Sequence, residues 1–209
     1  MIQKEYQAKL LSQESEYKFL QAQLDPHFLY NTLNSINWMA INKENYEISD
    51  MITNLSFLFR NKIDDMDDMI PIKEELDVIH AYIKIQSTRF GNRLVYKEEI
   101  DLDLIYKMIP KLTIQLLIEN SIKYGVEKIK QPTQILLTIK NLNNKIWIEI
   151  KDDGPSIVEK IAFKKDSTGL GLSNIENRLK LIYGDQASVK ISSKPNIETK
   201  VILAVPQKN

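Results

Sequence analysis

The stretch IEIKDDGPSI, residues 148–157, decides the fold. Ile148 and Ile150 alternate with Glu149 and Lys151, the period of a strand with one buried face, and the run stops at Asp152-Asp153-Gly154-Pro155, a tight turn that presents a carboxylate beside the sheet. Working outward, Gln134 to Lys140 and Lys145 to Lys151 read as strands around a turn at Asn141 to Asn144, Leu94, Tyr96 and Ile100 suggest another, and Ala187 to Ser192 and Thr199 to Val205 close the chain. Apolar-faced helices are predicted from Pro71 through Phe90, from Pro110 to Tyr124 and from Gly171 to Tyr183. Helices grouped against strands that are mostly hairpin-linked predict an α+β sandwich, one helical layer on one sheet.

The first sixty residues differ in kind. They carry no glycine and one proline, and they are rich in Leu, Gln, Glu, Lys and Asn, which favours helix. Leu10, Tyr17, Leu20 and Leu24 form one apolar seam suited to a coiled coil or bundle, and Leu29, Leu33, Ile36 and Ala40 form a second after Pro26, which is expected to bend the helix. After a break at Asn42 to Asn45, Ile48, Ile52, Leu55, Leu58 and Phe59 continue as helix. An antiparallel hairpin of this kind cannot bury both faces alone, so pairing of two copies into a four-helix bundle is expected. The acidic segment Asp64 to Asp68 marks the boundary between a helical region, 1–63, and the sandwich, 71–209. It reads as a solvated loop, because no frame of it has the glycine a calcium loop needs.

Composition removes several classes of function. Lys+Arg and Asp+Glu are equal at 28 each, which argues against a phosphate-tracking nucleic-acid surface. There is no cysteine, and His27 and His80 are the two histidines, so disulfides, thiolate chemistry and a His-rich metal centre are not expected. No run approaches the ~18 apolar residues of a membrane span, and the start has no signal-peptide core, so the chain is expected to be soluble.

Two further stretches belong with the first. In LLIENSIKYG, residues 116–125, Asn120, Lys123 and Tyr124 lie about one helical turn apart, opposite Leu116, Leu117 and Ile118. An Asn amide oxygen can complete a magnesium shell and a Lys offers a point charge to phosphate. In STGLGLSNIENRL, residues 167–179, Gly169 and Gly171 open a helix whose N-terminus favours phosphate charge. The run is neither a Walker loop nor a dinucleotide fingerprint. A buried aspartate such as Asp152, accepting from an exocyclic amine, is a common reader of adenine.

In this order and spacing the three stretches resemble the N, G1 and G2 boxes of the GHKL (Bergerat) ATP-binding fold shared by histidine kinases, DNA gyrase, the Hsp90 chaperones and MutL. The resemblance implies that ATP and Mg²⁺ are bound, with Asn120 as magnesium ligand, Lys123 on phosphate, Tyr124 on the nucleoside, Asp152 on adenine and Gly154 at its turn. Gly169, Leu170, Gly171 and Leu172 would line the phosphates, and Thr199 would assist Asp152 through water. The chain departs from the family pattern at Ser156 and Glu198, where glycines are usual. Gyrase-like ATPases place a water-activating glutamate four residues before the box asparagine, and Leu116 stands there, which favours a phosphoryl acceptor other than water.

LQAQLDPHFLYNTLNSI, residues 20–36, resembles the phosphoacceptor helix of LytS/YesM-type sensor histidine kinases, and EELDVIHAYIKIQSTRFGNRL, residues 74–94, resembles the segment that follows it in that family. His27 lies about 200° around the helix from Leu29, so it points away from the apolar stripe and is exposed. The resemblance implies phosphorylation of His27 and transfer to an aspartate of a response regulator. It also implies a homodimer and the cytoplasmic portion of a membrane-anchored bacterial receptor, with any sensor and membrane segments upstream of residue 1. Asn31, four residues on and on the same face, is placed either to orient a water for hydrolysis of the regulator's phosphoaspartate or to cap or stabilise the bundle interface. Phe28 occupies the place of the acidic residue that many kinases carry after the histidine. His80 is expected to be structural. Two rival readings remain, a degenerate kinase acting as a nucleotide-binding interaction module and a gyrase- or Hsp90-like ATPase.

Overall fold

A computed structural model describes residues 26–63, 69–155, 169–194 and 197–207. The Leu10, Tyr17, Leu20 and Leu24 seam, the acidic segment and Ser156 lie outside the described residues. The chain divides into two compact units, Met1–Ile63 and Asp64–Asn209.

The first unit contains the helices α1 (Pro26–Asn42) and α2 (Tyr46–Ile63). Glu44 turns the chain between them at φ 55°, and the Asn45 side chain accepts from the Ile48 N–H at 3.3 Å, capping α2 as Asn does. The helices are tied by Ser49, whose hydroxyl donates to Asn37 Oδ1 at 2.6 Å, and by the Arg60 guanidinium over the Tyr30 ring at 5.7 Å. Among the described residues of this unit the buried apolar side chains are Ala40 and Ile52, whereas Phe28, Trp38 and Met39 are at least 60% exposed.

The second unit runs β1 (Met69–Pro71), α3 (Ile72–Phe90), β2 (Leu94–Ile100), β3 (Met108–Pro110), α4 (Thr113–Ser121), a π-helical turn (Ile122–Val126), β4 (Thr133–Leu142), β5 (Lys145–Asp152), α5 (Gly169–Tyr183), β6 (Ser188–Lys194) and β7 (Glu198–Pro206). The five-stranded sheet has the order β2-β4-β5-β7-β6, parallel between β2 and β4 and antiparallel elsewhere. Alternation along β4, β5 and β7 places Ile135, Leu137, Ile139, Ile146, Ile148, Ile150, Val201, Leu203 and Val205 on one buried face. That face forms one core with Ile79 of α3, Leu117 and Ile118 of α4, and Ile175 and Leu179 of α5. The opposite face is mixed, with Leu136, Trp147 and Ile202 beside charged residues such as Lys200 and Glu149, paired across strands at 3.1 Å. This is the α+β architecture expected from the pattern.

One boundary differs from expectation. Pro110 belongs to β3, which pairs with β1 in a separate two-stranded ribbon (Met69↔Pro110), instead of opening the helix. The chain then turns at Leu112, in the left-handed region at φ 65°, before α4 starts. The first N–H groups of α4 are satisfied from a distant element. The Glu75 carboxylate of α3, 1% exposed, accepts from Leu112 N, from Ile114 N at 2.9 Å and from Gln115 N at 3.2 Å. Burial pushes the Glu75 carboxyl above its usual range, and the three N–H bonds and the nearby Arg178 pull it back. Arg178 of α5 also donates to Lys111 O, so three helices converge on this corner.

Glu75→Gln keeps the shape and sets an NH₂ group against backbone donors. Stranding a buried N–H costs about 1–3 kcal/mol, and the expected loss is about 3 kcal/mol. It is measured as a lower urea midpoint of the full chain, followed by Trp147 fluorescence in a Trp38→Phe background. An unchanged midpoint would show that the cap contributes nothing.

Candidate nucleotide site and phosphoacceptor histidine

The apolar rows of the sheet end in polar residues at one edge of the core. Thr133 precedes Ile135 on the buried face of β4, Asp152 ends the row of β5, and Thr199 starts the row of β7, and all three are at most 2% exposed. Register places Asp152 opposite Ile135 on one side and Thr199 on the other. Three hydrophilic side chains at the mouth of a sealed apolar face mark a place built to meet a polar group.

Asp152 is held from two directions. The Ser121 hydroxyl, at the end of α4, donates to its Oδ2 at 2.9 Å, and the Gly154 N–H donates to its Oδ1 at 3.2 Å. Burial raises the carboxyl from 3.8 to about 6, against those two hydrogen bonds and with a smaller push from Asp153. Asp153 points elsewhere, accepting from Gln134 N at 2.7 Å and so bracketing the ends of β4 and β5.

Gly154 was expected to serve its turn, but closeness is what requires it. A Cβ there would stand 2.6 Å from the Cα of Gly125 and 3.0 Å from Asp152 Oδ1. A side chain on Gly125 would in turn meet Thr133 Cγ2 at 3.4 Å and Asp152 Oδ1 at 3.6 Å. Those are ordinary contacts, so it is Gly154 that lets the π-helical turn lie against the strand end. Thr133 Oγ1 is buried with no hydrogen-bond partner, beside the same turn. Such an orphaned hydroxyl next to a carboxylate fits a polar planar ligand or a water serving one.

Asn120, half-buried, directly precedes Ser121, so the bond to Asp152 also places its neighbour. Lys123 is exposed with its Nζ 5.3 Å from the Tyr124 ring centroid. Thr199 Oγ1 lies 3.2 Å from Ser193 Oγ. Gly169, Leu170 and Gly171 open α5, and Leu172 sends its side chain into the core, leaving its backbone as what it offers a ligand. Glu198 stands at the start of β7 with its carboxylate 2.7 Å from Lys151 Nζ, which holds it below the usual carboxylate range.

Ser121, Gly125, Thr133 and Ser193 are not among the residues that the sequence pattern singles out. Ser121 and Gly125 sit inside the quoted LLIENSIKYG stretch, where a serine on the apolar side of a helix was a signal in itself. Thr133 and Ser193 carried none, since threonine and serine are ordinary strand residues.

In the first unit His27 is exposed and lies on α1 with Asn31, Asn34 and Trp38, which are also exposed. The Asn31 side-chain amide nitrogen is 3.1 Å from His27 Nδ1. His80, on α3 of the second unit, has its Nε2 2.7 Å from Glu98 Oε1, an ordinary surface pair.

The chain is similar to known proteins. A family model described as histidine kinase matches residues 15–94, and one described as histidine kinase-, DNA gyrase B-, and HSP90-like ATPase matches residues 108–209. Sensor histidine kinase YesM of Bacillus subtilis (strain 168) is 37% identical over 209 residues, all of this chain and 36% of its own length. Sensor protein LytS of Bacillus anthracis is 31% identical over 215 residues, 98% of this chain and 36% of its own length. The chain therefore spans about a third of the length of the curated relatives it matches. The histidine kinase domain of a blue-light activated kinase from Erythrobacter litoralis superposes with a TM-score of 0.52 at 13% identity, covering 87% of this chain and 93% of that one, a likeness of fold. A histidine kinase match over residues 15–94, an ATPase-type match that follows it in order, and the likeness to YesM and LytS over nearly the whole chain show that this chain belongs to the LytS/YesM-type sensor histidine kinase family.

Proposed function

We propose that the chain catalyses ATP-dependent phosphorylation of its own His27 and passes the phosphoryl group to an aspartate of a response regulator. The observation that carries this reading is the presence, in one chain, of an exposed histidine on a helical hairpin and a buried carboxylate at the polar edge of an ATPase-type sheet. Asp152 accepts from the exocyclic amine of adenine, Thr199 assists through water and Tyr124 flanks the nucleoside. Lys123 and the backbone of Gly169, Leu170, Gly171 and Leu172 hold the phosphates. Asn120 offers its amide oxygen to Mg²⁺, which when bound neutralises charge on the phosphate oxygens. Among the described residues no group of three His, Cys, Asp or Glu could hold a metal, which suits an ion that keeps one or two protein ligands and takes the rest from phosphate and water.

In the reaction a ring nitrogen of neutral His27 forms a bond to the γ-phosphorus of ATP while the bond to the bridging oxygen breaks and ADP leaves. The protein's contribution is positioning and charge neutralisation. Asn31 completes the histidine face, and with a regulator docked there its amide can hold a water near the phosphoaspartate. The acting species is a homodimer through the first unit, because the described hairpin leaves Phe28 66%, Met39 60% and Ile36 43% exposed. Phe28 and Met39 share one side of α1, and Ile36 and Met39 line an apolar cavity of about 430 Å³ together with Ala40 and Ile48 at the hairpin turn. No helix among the described residues is long and apolar enough to cross a membrane. We assign the chain to the cytoplasmic side of a membrane-anchored receptor.

Three outcomes test this. His27→Ala should abolish acid-labile, base-stable labelling from γ-labelled ATP and leave ATP affinity unchanged, since the two sites lie in different units; labelling at the parental level would overturn the acceptor. The Asp152 carboxyl should titrate near 6 in a ¹³C NMR experiment on the nucleotide-free chain and lower with nucleotide bound, because an amine donor favours the charged form. The sign follows: affinity for adenosine nucleotides falls as pH drops through about 6, whereas this group's contribution to stability is present below 3.8 and lost as pH rises through about 6. A midpoint unmoved by nucleotide would remove Asp152 from adenine recognition. Met39→Glu should weaken self-association at least about tenfold, roughly the cost of placing one charge in an apolar seam, with light scattering on the full chain as the readout.

A further inference from the structure

The histidine needs an orienting group, and Phe28, directly after it, cannot provide one. A neutral imidazole carries its proton on one nitrogen and its lone pair on the other, and the lone pair is the nucleophile. Which nitrogen attacks is therefore decided by what the other is bonded to. On α1, Nδ1 faces the Asn31 amide at 3.1 Å, within the helix itself, so Nε2 is the nitrogen directed away from that contact.

We propose that Asn31 is the positioning residue of the phosphorylation step, holding Nδ1 of His27 so that Nε2 is the attacking nitrogen. Spacing alone suggested a part for Asn31 in hydrolysis; the contact gives it an earlier one. The inference rests on the kinase reading above. An asparagine amide has an acceptor and two donors at nearly identical positions, exchanged by turning the group over. With Oδ1 toward the ring, it accepts from Nδ1–H and leaves the lone pair on Nε2. With the nitrogen toward the ring, as the side chain is placed here, it donates to Nδ1 and the ring proton sits on Nε2.

The two orientations match the two sides of the reaction. Before transfer, Nδ1–H donates to Oδ1 and Nε2 attacks. As the N–P bond forms and ADP departs, the ring becomes a cation with Nδ1 still protonated, and that proton then passes to solvent. The neutral phosphohistidine has a lone pair on Nδ1, which the reversed amide satisfies by donating to it. A carboxylate at this position would serve only the first state, and an aliphatic residue neither.

The test uses the full chain, with His80→Gln introduced so that one histidine remains in the spectra. At about pH 8.5, above the ordinary imidazole range, ¹⁵N shifts of the ring report the tautomer, a quantity that a merely structural asparagine would not move. Asn31→Asp is expected to shift His27 toward the Nδ1–H form and to be phosphorylated from γ-labelled ATP several-fold faster than Asn31→Leu. Asn31→Leu is expected to shift it toward Nε2–H and to slow that rate about fivefold, or about 1 kcal/mol, with KM for ATP unchanged. Phosphorus–nitrogen coupling in the labelled parent should place the phosphate on Nε2. Phosphate on Nδ1, an Asn31→Leu variant with parental tautomer ratio and rate, or an Asn31→Asp variant as slow as Asn31→Leu would each overturn the proposal. Failure of the parent to take label on His27 would instead overturn the kinase reading and with it the use of this pair in transfer, while the ring shifts still report whether Asn31 governs the tautomer.

Discussion

A carboxylate buried where a helix begins holds the second unit in register. The start of α4 follows a short strand and a left-handed residue, leaving backbone donors inside the protein, and no side chain of α4 itself is placed to meet them. Glu75 meets three of them from α3. Burying that charge is costly, and what offsets the cost is the set of N–H bonds, the helix N-terminus and the nearby Arg178. Because Arg178 belongs to α5 and also bonds Lys111 O, the same corner anchors the helix that begins at Gly169. Three helices that carry or flank the site are thereby positioned through one group.

From that corner the site follows by short steps. A fixed α4 places Ser121 against Asp152, and the π-helical turn that follows brings Gly125 to Gly154 at backbone distance. A π-helical turn inserts an extra residue into the helical repeat, and such turns recur at functional sites because they redirect a chain over one turn. Here the turn contains Lys123 and Tyr124. Burial raises the Asp152 carboxyl to about 6 because a single hydroxyl and a single N–H do not fully replace water. A carboxylate in that state has unspent capacity to accept a hydrogen bond, which is what a recognition residue requires.

The two units obey opposite physical logic. The second closes its own core, with rows of Ile, Leu and Val sealed to 5% exposure or less on three strands. The first, over its described residues, buries Ala40 and Ile52 and leaves large apolar side chains in solvent. An apolar surface on a narrow hairpin is stabilised by association with another one. His27 and Asn31 lie exposed on the same hairpin, where a side chain stays open to solvent.

The period-two alternation of β4 and β5, the apolar helix faces and the Gly-poor start were legible in the residues, because local periodicity reflects which face is buried. The order of the three quoted stretches and the PHFLYN setting of His27 likewise needed no coordinates to suggest a nucleotide fold and an acceptor. Contacts distant in sequence were not legible. Glu75 reads as an unremarkable acidic residue in the first turn of a helix, and only the tertiary arrangement brings it to backbone donors nearly forty positions away. Pro110 reads as a helix start until a partner strand exists for it, and Gly154 reads as a turn glycine until Gly125 lies against it. The pairing of Asn31 with a particular nitrogen of His27 is intermediate: spacing put the two on one face, but only side-chain placement showed that Nδ1 is the nitrogen held. Sequence determines the periods and the chemical inventory, since these are local; which polar group satisfies which depends on chain segments meeting in space, and folding alone decides that.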